Sequence, residues 1–333
     1  MFIKKYFYQL MICSLIASTF MNCGEKNKMI NNRKMNSTST VLMIEPVNFK
    51  YNEQSAITNS FMKHEADSVA QVEALKQFYD YVAELRKYGI RVIIVKDTPT
   101  PNTPDAIFPN NWFSTHSEGK VVLYPMCMPN RREERKLDVK DSIAMACPNY
   151  ETVDLTQLEN QGKYLEGTGS MVLDRVNKIA YACLSPRTSQ EALDEFCKKM
   201  GYKPITFHAV DSAGIPVYHT NVMMCVGTDF AIVCEDAIRS NNEMKMLKSS
   251  LENSGKEIIK ITLEQMINYA GNMLELNDGK GKTFIVMSKT ARESLTPVQV
   301  EQISKFGTII DADIHTIEIN GGGSARCMLA EIY

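Results

Sequence analysis

Between residues 69 and 85, apolar side chains recur at Val69, Val72, Leu75, Phe78, Val82 and Leu85, the spacing of one helix face. Ser68 and Gln71 fit a capping box at its start, which predicts a helix from about Ser68 to Tyr88. Gly89 stops it, and the β-branched run Arg91-Val92-Ile93-Ile94-Val95 reads as the strand that follows. The same reasoning places helices at Ser189–Met200, Asn241–Ser254 and Thr296–Phe306. Short alternating runs pair Ser170–Asp174 with Lys178–Leu184, and Asn221–Val226 with Phe230–Glu235, as hairpins across tight turns. Hairpins alternating with helices argue against a simple doubly wound parallel sheet.

A looser periodicity overlies these elements. Aliphatic runs end in short polar turns at Met43-Ile44-Glu45-Pro46, Leu123-Tyr124-Pro125, Cys183-Leu184-Ser185-Pro186-Arg187, Val233-Cys234-Glu235-Asp236 and Val286-Met287-Ser288-Lys289. Five such turns, roughly 50–80 residues apart, suggest five copies of one α/β supersecondary unit.

Composition narrows the class of partner. The 333 residues are 44% hydrophobic and 23% charged, ordinary for a chain that buries a real core. A formal charge of −2 gives no electrostatic reason to expect nucleic acid. The run Arg131-Arg132-Glu133-Glu134-Arg135-Lys136 mixes both signs and reads as a solvated helix face. Beyond the N-terminus no apolar stretch is long enough to span a bilayer.

At the N-terminus, Lys4-Lys5, the apolar stretch Phe7 to Met21 and then Cys23 resemble a bacterial lipoprotein signal. Phe20-Met21-Asn22 depart from the usual small-residue cleavage box. This reading divides the chain into a signal segment (1–23) with lipidation at Cys23, a polar tether (24–40) and one catalytic domain (41–333). It favours an envelope lipoprotein, with a membrane contact through the anchor alone. The alternative is translation from Met35 and a cytoplasmic protein. After Cys13 and Cys23, seven cysteines remain with no Cys-x-x-Cys pair, which fits a reducing compartment better than an oxidising one.

Candidate chemistry lies in three places. Gly321-Gly322-Gly323-Ser324-Ala325-Arg326-Cys327 delivers a thiol near the C-terminus, Glu166-Gly167-Thr168-Gly169 a carboxylate, and His219-Thr220-Asn221 an imidazole. Thiol, imidazole and carboxylate are the kit for nucleophilic catalysis: attack, proton shuttling and orientation of the shuttle. Each alone reads more readily as a buried thiol, a core histidine or a surface carboxylate; it is their joint context that points to catalysis. Gly281-Lys282-Thr283 ends like a phosphate loop, but Leu276 stands where the first glycine belongs. His64, His116, His208 and His315 lack metal-ligand spacing, so no metal and no cofactor is expected; His315 is the rival base near Cys327. Trp112, the single tryptophan, reads as core or pocket wall.

These segments, with Asp105-x-x-Phe108-x-x-Asn111 and Ser185-Pro186-Arg187-Thr188, resemble the guanidino-modifying superfamily of arginine deiminases, dimethylarginine hydrolases and amidinotransferases. The resemblance covers residues 40–333 and is greatest toward its citrulline hydrolase branch. It implies a five-bladed α/β propeller, a pentein, of ββαβ units around a central site. It implies Cys327 as nucleophile, His219 as general acid/base and Glu166 as the carboxylate supporting the site. Arg187 would grip the α-carboxylate of a free amino acid, a task suited to a planar guanidinium, and Asp105 would bind substrate.

One departure from the deiminases is informative. They place aspartates where this chain has Asn111 and Asn221. Amides suit a neutral ureido group, whereas an unpaired buried guanidinium is costly. The resemblance and the departure together point to citrulline as the small-molecule substrate, cleaved to ornithine, ammonia and carbon dioxide through an S-carbamoyl intermediate. Asn111, Asn221 and backbone N–H groups near the glycine run are candidate oxyanion donors. An arginine dihydrolase or deiminase is the alternative within the same chemistry. From another class, the fold also serves as a non-catalytic binding module, which has no need of Cys327, His219 and Glu166 together.

Overall fold

The computed structural model describes residues 35–64 and 67–333; the signal segment, Cys23 and most of the tether lie outside the described residues. Among the described residues, fifteen strands form five three-stranded sheets, all with one plan: an antiparallel hairpin, then a helix that returns the chain to a strand parallel to the hairpin's second member. In the second sheet, β3 (Phe113–His116) and β4 (Lys120–Leu123) are followed by β5 (Glu151–Asp154). The third is β6 (Val172–Asp174), β7 (Ile179–Cys183) and β8 (Lys203–Phe207). The fourth is β9 (Met224–Val226), β10 (Phe230–Val233) and β11 (Glu257–Lys260). The fifth is β12 (Leu274–Asn277), β13 (Thr283–Ser288) and β14 (Thr308–Ala312). The first sheet is a permuted copy. Here β1 (Thr40–Glu45) pairs in parallel with β2 (Arg91–Lys96) and antiparallel with the C-terminal β15 (Ala330–Ile332).

The crossover helices are α1 (Asp67–Lys87), α2 (Leu137–Ala146), α3 (Gln190–Met200), α4 (Asn241–Asn253) and α5 (Pro297–Ser304). The four helices and two hairpins expected from patterning all form, within a few residues of the expected ends. In α3 the buried stripe is Ala192, Leu193, Phe196, Cys197 and Met200, closed by Gly201 in the left-handed conformation. Full burial of Phe196 alone contributes about 1.5–3 kcal/mol.

The face of α1 needs correction. Its buried stripe is Ala70, Ala74, Phe78, Tyr81, Val82 and Leu85, while Val72 is 67% exposed. Six residues at about 100° each set Val72 roughly 120° around the axis from Phe78, off the core-facing stripe. Gln71 does not look back to a cap; its side chain accepts from Phe49 N and donates to the Pro46 carbonyl.

The end of the expected tether is also structured. Asn36, Ser37 and Thr38 are buried. Asn36 donates to Gly227 O, accepts from Val176 N, and receives Tyr333 OH on its carbonyl. Composition is polar here because the segment hydrogen-bonds to the turns of other sheets. Among the described residues no helix is long and apolar enough to cross a membrane.

Candidate active site

The architecture gives every sheet one equivalent place: the turn just before the first strand of its hairpin. Pro109–Asn111 precedes β3, Gly167–Ser170 precedes β6, Thr220–Val222 precedes β9, Asn272 stands two residues before β12, and Ala325–Met328 precedes β15. Gly167–Ser170 packs against both Pro109–Asn111 and Thr220–Val222, and Pro109–Asn111 also meets Ala325–Met328. Residues far apart in sequence converge because each occupies the same position in its unit.

Close approach of these turns requires glycine. A Cβ on Gly169 would stand 2.5 Å from Asn111 Nδ2 and 2.7 Å from His219 Nδ1. Gly167, at φ +48°, would drive a Cβ to 2.3 Å from the Asn110 carbonyl. The motif Glu166-Gly167-Thr168-Gly169 is thus a carboxylate followed by two positions where only hydrogen fits.

Glu166 lies at the centre. Its Oε2 takes a 2.8 Å hydrogen bond from His219 Nε2 and sits 3.4 Å from Arg187 Nη1, while Oε1 accepts from Cys127 N at 2.9 Å. Burial alone would raise its pKa. Arg187, the His219 hydrogen bond and Arg131 together outweigh burial, holding the carboxyl well below the usual range. For His219 burial wins over Glu166, and its pKa is lowered to about 4. A neutral ring whose Nε2–H must donate to a carboxylate keeps Nδ1 as the basic nitrogen. Tyr218 backs this arrangement, its ring 4.6 Å from His219 and 5.1 Å from the Arg187 guanidinium carbon. Ser170 Oγ accepts from Glu166 N and donates to Arg187 O, and Thr220 Oγ1 donates to Ser170 O, so one hydroxyl pair ties the three segments together.

Cys327 is buried. Its Sγ accepts from Asn221 Nδ2 at 3.4 Å and from Asn272 Nδ2 at 3.2 Å. Asn111 is oriented otherwise. Its Oδ1 accepts from Arg131 Nη1 at 2.7 Å and its Nδ2 donates to Asn110 Oδ1. Asp105 Oδ2 accepts from Asn52 and Ser55, and lies 3.7 Å from Arg131 Nε; its buried Oδ1 has no hydrogen-bond partner among the described residues.

Sequence reasoning missed Arg131 and Asn272. The charged run at 131–136 is not a solvated face: Arg131, Glu134 and Lys136 are buried. Glu134 holds the Arg131 guanidinium through Nε and Nη2, leaving Nη1 for Asn111. The repeat of turn positions was the one signal that could have found Asn272. His315 is exposed whereas Cys327 is buried, and Trp112 is fully buried against Phe113. Among the described residues no three His, Cys, Asp or Glu side chains are placed to hold a metal ion.

Residues 55–59 lie against the site as a strap. Arg187 Nη2 donates to Ser55 O at 2.6 Å and Nε to Thr58 Oγ1 at 2.8 Å; Asn59 Nδ2 donates to Gly322 O. Glu166, Arg187, His219 and Cys327 are all at most 3% exposed.

The sequence matches the family described as N,N dimethylarginine dimethylhydrolase, eukaryotic, over residues 45–333. The chain belongs to the dimethylarginine dimethylhydrolase family. It is accordingly a member of the guanidino-modifying superfamily and a hydrolase of carbon–nitrogen bonds. No curated protein matches the sequence.

Solved structures share the fold. The product-bound N-terminal domain of ArgZ, an arginine dihydrolase of the ornithine–ammonia cycle in cyanobacteria, superposes with a TM-score of 0.71 at 16% identity, covering 90% of this chain and 98% of that one. AgrE with ornithine and NAD+ gives 0.70 at 15% identity, over 90% of this chain and 39% of that one. A cysteine-to-serine variant of the Pseudomonas aeruginosa dimethylarginine dimethylhydrolase, complexed with citrulline, gives 0.61 at 14% identity, covering 89% and 99%.

Proposed function

We propose that this family member hydrolyses the ureido group of free citrulline, in one catalytic domain whose five sheets are the blades of a closed propeller. The observation that carries the substrate is the neutrality of the groups on the sulfur. Among the described residues, both side chains that hydrogen-bond to Cys327 Sγ are amides, and the third amide, Asn111, has its acceptor oxygen occupied by Arg131. Amide N–H groups suit a carbonyl oxygen and a developing oxyanion; they give a buried guanidinium no counter-charge.

In this reading Cys327 attacks the ureido carbon as its proton passes to His219 Nδ1, forming a tetrahedral oxyanion. The carbon–Nδ bond then breaks, the histidine returns the proton to the departing amine, and ornithine leaves an S-carbamoyl thioester. Water attacks that thioester, His219 takes its proton, and the carbon–sulfur bond breaks to regenerate the thiol. The released carbamate decomposes to ammonia and carbon dioxide. Arg187 holds the substrate α-carboxylate in place of the Ser55 carbonyl and Thr58 hydroxyl, both on a strap that must move for substrate to enter.

A second reading, arginine dihydrolase, draws on the unpartnered Asp105 Oδ1, a carboxylate oxygen free to meet a cation, and on the likeness to ArgZ. Rapid acid quenching followed by mass analysis of the Cys327 peptide separates the two. A carbamoyl adduct from citrulline, with no amidino adduct from arginine, supports the first; an amidino adduct formed as fast from arginine supports the second.

A further inference from the structure

We propose that Asn272 is a catalytic residue of this site, the amide that holds the Cys327 thiolate. The inference rests on the reading of Cys327 as nucleophile. Its orientation follows from chemistry alone. Asn272 Oδ1 lies 3.0 Å from Arg326 N, a group that can only donate, so the oxygen must face Arg326 and the NH2 must face the other way. That NH2 has two acceptors, the Cys327 sulfur at 3.2 Å and the Asn221 carbonyl at 2.9 Å. One side chain therefore clamps the backbone of the residue before the nucleophile, the nucleophile's sulfur and the His219-Thr220-Asn221 turn. Asn221 is less constrained: its Nδ2 is 3.4 Å from the sulfur and its buried Oδ1 has no partner among the described residues to fix the amide plane.

The loop is built to deliver this amide. Tyr269 adopts φ +62°, a conformation costly for a residue with a bulky side chain, and its carbonyl accepts from Asn272 N at 2.8 Å. A Cβ on Gly271 would meet the Val222 carbonyl at 2.4 Å, so only glycine lets the loop close on the histidine turn. Asn272 is fully buried, and it occupies the fifth sheet's copy of the position held elsewhere by Asn111, Asn221 and Cys327. Each of the five units thus contributes a turn to one ring.

Asn272→Asp tests this with near-identical shape. It keeps an acceptor for Arg326 N but turns a carboxylate oxygen toward the sulfur. Iodoacetamide alkylation of Cys327 is followed from pH 5 to 10, with circular dichroism and a count of labelled sites. The midpoint should rise by about one pH unit or more, and the rate at pH 7 should fall about ten-fold or more per competent site. Asn272→Ala, which removes the donor without adding charge, should slow alkylation in the same direction by a smaller factor. A folded aspartate variant with the wild-type midpoint overturns the proposal, as does an alanine variant alkylated at the wild-type rate. Because no substrate is used, an enzyme that turns over neither amino acid would sink the functional reading while leaving this test intact.

Discussion

Replacing Asn221 by aspartate exchanges an N–H donor 3.4 Å from the Cys327 sulfur for a carboxylate oxygen at the same place. Two unit charges at that separation repel by about 5 kcal/mol at an effective dielectric constant of about 20. That corresponds to a loss of thiolate near neutrality of more than about a thousand-fold. The same change at Asn111 has a different outcome, since the new carboxylate would accept from Arg131 Nη1 2.7 Å away, where Asn111 Oδ1 now accepts, rather than replace a donor on the sulfur. Its second oxygen would face Asn110 Oδ1, an amide that can turn to present its NH2. The assay is kcat/KM for citrulline and for arginine in both single variants, normalised to alkylatable Cys327. For Asn221→Asp, the citrulline value should fall by more than about a thousand-fold and the arginine value by at least ten-fold less, because a cationic substrate offsets the new charge. For Asn111→Asp, both values should stay within about ten-fold of wild type. A folded Asn221→Asp protein with an unchanged citrulline-to-arginine ratio would refute the argument that amides select the ureido group.

Cys327→Ser should abolish turnover while keeping the fold, and iodoacetamide should label Cys327 ahead of Cys127, the one cysteine among the described residues that is not buried; retained activity in the serine variant would remove the nucleophile. His219, lowered to about 4 by burial, stays neutral in the folded protein through the range where the unfolded chain takes up a proton near 6.5. Its contribution to stability is therefore complete above that value and is lost as pH falls from 6.5 toward 4, by up to about 3 kcal/mol. The acid limb of kcat/KM should lie nearer 4 than 6.5, and a limb at 6.5 or above would contradict a neutral resting imidazole. Arg187→Ala should raise KM for free amino acids and also lower kcat, since Glu166 loses the cation 3.4 Å away; a pure KM effect would show that Arg187 serves the carboxylate alone.

What could be read from the residues alone was what local pattern carries. Glycines beside Glu166 and before Cys327 advertise close backbone approach, and helix spacing with short hairpins gave the repeated unit. Arg131 was hidden because alternating charge looks solvated until Glu134, one turn on, is seen holding it toward Asn111, which lies twenty residues upstream. Asn272 carries no local signature beyond a preceding glycine. Its role depends on the Arg326 and Asn221 backbones, 54 and 51 residues away. Asn36 likewise reads as linker because its partners, Gly227 and Val176, lie on two other sheets.

The central claim is that the site cleaves a ureido group, and product stoichiometry tests it most directly. Purified protein is incubated separately with citrulline and with arginine, and ornithine and ammonia are quantified in each. Citrulline should yield one ammonia per ornithine, at a rate far above that from arginine. Two ammonia per ornithine from arginine with citrulline inert, or arginine converted to accumulating citrulline, would contradict the account.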